Sequence, residues 1–67
     1  MKNVELLRKL YPVGCKVVLH FMDDPQASPS GTIGEVIFVD DIGQIHVAWE
    51  NGCGLALNVD LDSFSRI

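Results

Sequence analysis

FVDDIGQIHVAWENGCGLAL, residues 38–57, sets two turns between apolar runs, and the register of its second turn decides the fold. A two-residue Asn51-Gly52 turn pairs Glu50 with Cys53. Ile45, Val47 and Trp49 then share a face with Gly54, Ala56 and Asn58, while Leu55 and Leu57 are stranded beside His46. A three-residue loop, Glu50-Asn51-Gly52, pairs Trp49 with Cys53 instead and puts Gly52 at the left-handed position of a G1 bulge. Ile45, Val47 and Trp49 now share a face with Cys53, Leu55 and Leu57. Register follows the hydrophobic pattern, so the three-residue loop is expected.

Working outward, IHVAWE and CGLALNV flank that turn as two strands, and DDIGQ joins the first of them to an earlier strand, TIGEVIFVD. Both parities of VIFV are apolar, so this strand is covered on both faces or bends, as Gly34 permits. Before it, GCKVVLHFM alternates, with Cys15, Val17, Leu19 and Phe21 on the core parity and Lys16, Val18, His20 and Met22 on the other. DDPQASPSG, residues 23–31, holds two prolines and a glycine and is a loop. Residues 3–10 form a short helix with Asn3 as N-cap, Glu5 in the first turn and an apolar stripe of Val4 and Leu7 with Leu6 and Leu10. Pro12 stops that helix at or before Tyr11. DLDSFSRI adds a short turn and a last edge strand through Phe64 and Ile67. The expected fold is mainly β. It is a single domain over residues 1–67, with the helix at 3–10 and a small SH3-like barrel of four to five antiparallel strands over 14–67.

Charge is the most informative bulk property. The chain has 67 residues and a formal net charge of −4. Its five bases, Lys2, Arg8, Lys9, Lys16 and Arg66, lie at the two ends. Between Val17 and Ser65 there are eight acids and no Lys or Arg. A body of that sign repels phosphate backbones, so direct nucleic-acid binding is not expected, and the basic end offers only a weak alternative. No apolar run approaches the roughly 20 residues of a spanning helix. The charged start, MKNVELLRKLYP, is no signal peptide. A cytoplasmic location and two reduced cysteines are therefore the expectation.

The residues that could carry chemistry are few. Cys15, His20, His46 and Cys53 could in principle make a zinc site, but they show neither C-x₂₋₄-C nor H-x₃₋₅-H spacing. The cysteines also fall on the core parity and the histidines on the other, so two buried thiols and two surface imidazoles are the expectation. A Cys–His nucleophile drawn from the same four residues has no third orienting group at a recognisable spacing, and no enzyme is expected. Asp23-Asp24 and Asp40-Asp41 do not fit a calcium loop and read as turn formers. Trp49 is read first as a core anchor and second as an exposed aromatic that binds a peptide, as in SH3-like folds.

The stretches GCKVVL, MDDPQA, GTIGEV, VDDIG and WENGCGL together resemble a family of small domains of unknown function from Gram-positive bacteria, their phages and mobile elements. Its pattern runs G-C-R-V-x-L, M-D-D-P-Q-A-P, G-T-x-G-x-V, V-D-D-I-G and W-D-N-G-x-x-L. The chain departs from it at Pro29-Ser30, Glu50 and Cys53 and in the extra apolar Val18 and Phe21. The resemblance implies a small SH3-like β-domain encoded on a mobile element and supplies no catalytic residues. With the charge pattern, it leaves two readings: acids that only keep a small domain soluble, or a non-catalytic module, monomeric or homodimeric, whose Asp23, Asp24, Asp40, Asp41 and Glu50 meet a basic protein surface. An inhibitor of a host nucleoprotein defence effector, of anti-CRISPR type against a Cas nuclease, fits that description.

Overall fold

Asn3 caps the helix as expected: its side-chain oxygen accepts from the Leu6 N–H at 3.0 Å. The computed structural model describes residues 3–67, so Lys2 of the basic end lies outside the described residues. Helix α1 spans Val4–Leu10. It is followed by β1 (Lys16–Phe21), β2 (Ile33–Val39), β3 (Gln44–Trp49), β4 (Leu57–Asn58) and β5 (Ser63–Arg66). The strands form one antiparallel sheet in the order β4-β3-β2-β1-β5. The first four make a meander, and β5 returns to the far side of β1. The expectation of a small mainly β domain with one short helix therefore holds, and the sheet is open between β4 and β5.

That opening is held by one carboxylate. Asp62 accepts from the Asn58 N–H at 2.7 Å and from the Asp23 N–H at 3.0 Å, tying the end of β4 to the loop after β1. The same turn closes through Leu61 N–H to Asn58 O at 3.1 Å.

The core comprises Val17, Leu19, Met22, Val36, Val39, Ile45, Val47, Trp49 and Leu57. Burying each of the larger aliphatic side chains contributes about 1.5–3 kcal/mol. Ile45 faces Leu57, the register of the three-residue loop, and Gly52 has φ +83° with its N–H on Trp49 O at 2.9 Å. Only Leu57–Asn58 of the expected 53–59 strand pairs, however. The indole N–H of Trp49 donates to Leu55 O at 2.9 Å, so the side chain takes the carbonyl where no ladder forms.

Two bulges correct the simple alternation. Leu19 faces Phe64 while Phe21 faces Ser63, so one extra residue turns Phe21 out of the core, 60% exposed, and Met22 takes the buried place. In β2, Val36 faces Val47 and Phe38 faces His46. This bulge, not Gly34, resolves the apolar run: Val36 and Val39 are buried, Ile37 and Phe38 exposed. On α1, Val4 and Leu7 pack on the core together with Tyr11, while Leu6 and Leu10 face water. Tyr11 meets Phe64 with ring centroids 5.3 Å apart.

Gly34 has a different role. A Cβ there would lie 2.8 Å from the Trp49 ring and also collide with Val47. Gly34→Ala is expected to cost about 1–3 kcal/mol as overpacking. Gly54→Ala, where a Cβ meets nothing within 4 Å, should stay within about 0.5 kcal/mol. Urea unfolding midpoints of the two variants check this; equal effects would remove the packing explanation.

Candidate functional site

The β2–β3 hairpin is built around one aspartate. Asp40 N–H donates to Gln44 O at 3.0 Å, and Gly43 N–H donates back to Asp40 O at 3.1 Å. The Asp40 carboxylate accepts from Ile42 N–H at 3.1 Å and Gln44 N–H at 2.9 Å through Oδ1. Its Oδ2 lies 2.8 Å from Nε2 of His46. A carboxylate only accepts, so the imidazole carries its proton on Nε2. The His46 bond, followed by the Gln44 N–H, holds the Asp40 carboxyl below its ordinary range. His46 in turn stacks on Phe38, centroids 4.2 Å apart and planes 7° apart.

Helix α1 reaches this hairpin through Arg8. Its Nε and Nη2 donate to Val39 O at 3.3 and 3.1 Å, and Nη2 also meets Asp41 Oδ1 at 3.1 Å. Between helix and hairpin lies an open cleft of about 210 Å³ lined by Arg8, Tyr11, Val13, Phe38 and Val39. Sequence reading missed this cleft because its walls come from distant segments. The one local signal was the surplus apolar residue in VIFV.

The five acids expected to meet a partner fall in three places. Asp40 and Asp41 sit in the β2–β3 turn, where Asp40 is engaged internally and the Asp41 side chain is 98% exposed beside Arg8. Asp23 and Asp24 open the long loop. There Asp24 accepts from Gln26 N–H at 2.7 Å, an Asx turn, and Asp23 is tied by its backbone to Asp62. Glu50 is exposed in the β3–β4 turn. Its neighbour Asn51 anchors the long loop by donating to the buried Ser28 hydroxyl at 3.1 Å. Among the described residues, no Lys or Arg forms an ion pair with Asp23, Asp24 or Glu50.

Cys15, His20, His46 and Cys53 are not brought together. Both cysteines are free thiols packed against the core, His20 is hydrogen-bonded to Ser65 Oγ at 2.8 Å, and His46 is held by Asp40. Among the described residues no three His, Cys, Asp or Glu side chains are grouped to hold a metal. At the basic end, Lys16 pairs with Glu35 at 3.3 Å and Arg8 with Asp41, so the patch is partly neutralised. No helix of the described residues is long and apolar enough to cross a membrane.

The chain belongs to the family described as Domain of unknown function (DUF4314), whose model matches residues 1–67. No curated protein and no solved structure matches it.

The lowered Asp40 pKa links the hairpin to pH. Its contribution to stability is fully present above the unfolded-state value of about 3.9 and is lost as pH falls through the lower folded value. Asp40→Asn should lower the melting temperature at pH 7, and the gap to wild type should narrow as pH falls below about 4. Thermal unfolding by circular dichroism at stepped pH reads this out; a gap independent of pH would remove the charge from the explanation.

Proposed function

We propose that this domain is a non-catalytic, acidic protein-interaction module that binds a partner through that partner's basic surface. The observation that carries the reading is the run from Val17 to Ser65, with eight acids and no Lys or Arg. Exposed carboxylates at Asp23, Asp41 and Glu50 are the ones this reading assigns to the partner. Like charges on one small body raise the association rate with a basic partner and make it steeply salt-dependent.

The partner class that fits is a protein whose basic surface ordinarily holds nucleic acid. A host nucleoprotein defence effector, such as a Cas nuclease blocked at its nucleic-acid channel, is of that class. A module encoded by a phage or another mobile element would have use for such a block. Its test is capture of a purified Cas nuclease by the immobilised domain at low and at high salt. Binding at low salt should be lost at high salt and lost in the combined variant Asp23→Lys, Asp41→Lys, Glu50→Lys. Those three substitutions leave the carboxylates of Asp24, Asp40 and Asp62 in their turns. Absence of binding at low salt, or binding untouched by charge reversal, overturns this partner class.

A further inference from the structure

We propose that the cleft between α1 and the β2–β3 hairpin receives an aromatic side chain of a partner peptide that carries a carboxylate beside it. This cleft adjoins the acidic β2–β3 turn at Asp41, but the proposal does not rest on the reading of the acidic turns as a partner surface.

Two of the cleft's apolar residues are left in water although the core is complete: Val13 is 75% exposed and Phe38 47%. Tyr11 and Val39 line the rest of the apolar wall. A volume of about 210 Å³ is below the roughly 300–1,000 Å³ of small-molecule sites, so the cleft suits one side chain and not a whole cofactor. Its wall is also fixed in advance. Phe38 is stacked on His46, and His46 is held at 2.8 Å by Asp40. A wall already ordered loses little freedom when a ligand arrives, which is where weak binding usually fails.

Arg8 supplies the polar half of the site. Its Nε and Nη2 both donate to Val39 O, which sets the guanidinium plane at the cleft. Guanidinium offers five N–H donors, and the two on Nη1 take part in no hydrogen bond among the described residues. A carboxylate is the group that such an oriented guanidinium recognises. Among the described residues, Arg8 is the one base that lines the cleft. The opposing charge is Asp41, whose pairing with Arg8 is solvent-exposed and so weakly held. An incoming carboxylate competes with Asp41 for Arg8.

The test uses the isotope-labelled full chain and backbone-amide NMR, with three probes: acetyl-Glu-Phe-Glu-amide, acetyl-Glu-Ala-Glu-amide and acetyl-Lys-Phe-Lys-amide. The first should give saturable shifts at Arg8, Val13, Phe38 and Val39. The alanine probe should bind more weakly, and the lysine probe should leave those amides unmoved. Val13→Asp puts a carboxylate on the exposed rim and should lose the shifts, whereas Asp41→Asn removes the competitor on Arg8 and should tighten binding. Both positions are exposed, and the spectra themselves report that each variant is folded. The proposal is overturned if no saturable shift appears at the cleft, if the lysine probe binds there as well, or if either variant binds as wild type does.

Discussion

The fold depends on the Trp49 indole lying over Gly34. No other residue fits beneath that ring, because a Cβ at Gly34 would come within 2.8 Å of it. The contact joins the end of β3 to the start of β2 on the inner face, and the register Gly34 opposite Trp49 carries on to Val36 opposite Val47. At its other edge the indole N–H bonds Leu55 O, pulling residues 53–56 over the core without a ladder. A large aromatic that buries its face and satisfies its single donor can thus replace part of a strand. Leu57 then drops into the centre, fully buried opposite Ile45.

Carboxylates close the turns that this arrangement leaves. Asp24, Asp40 and Asp62 each accept from backbone N–H groups near the ends of strands. Such groups cannot find partners in a sheet, and a charged acceptor serves them better than a neutral one. Asp62 is the most consequential, since it bridges two segments far apart in the chain where β4 and β5 do not pair. Part of the acidic composition is therefore architectural.

Strand number, polarity, the helix cap and the β3–β4 register were legible in the sequence because each rests on local pattern. The three-residue loop is the clearest case: only that register puts Leu57 inward, and Ile45 does face Leu57. The two bulges were not legible. Phe21 and Met22 exchange places because an extra residue enters β1 opposite β5, a consequence of pairing with a strand more than forty positions later. The surplus apolar residue in VIFV was visible, but its outlet at Ile37 and Phe38 needed β3 to define it. Of the candidate site, the acidic turns were visible and their division of labour was not. Asp40 and Asp41 are adjacent in sequence yet differ entirely, one accepting three hydrogen bonds and the other lying 98% exposed.

That division changes what the negative charge means. A count of acids treats every carboxylate as surface, but Asp24, Asp40 and Asp62 accept backbone hydrogen bonds that keep the loops in shape. Asp23, Asp41 and Glu50 remain as side chains that a partner can meet without dismantling a turn. Of the bases at the ends of the sequence, Arg66 reaches Leu10 of α1 from β5, opposite Val17 next to Lys16, and Arg8 reaches Val39 of the hairpin. The domain thus presents exposed carboxylates on its turns and an aromatic cleft edged by arginine beside its helix. The two meet at Asp41, which is both an exposed carboxylate of the turn and the partner of the cleft's arginine.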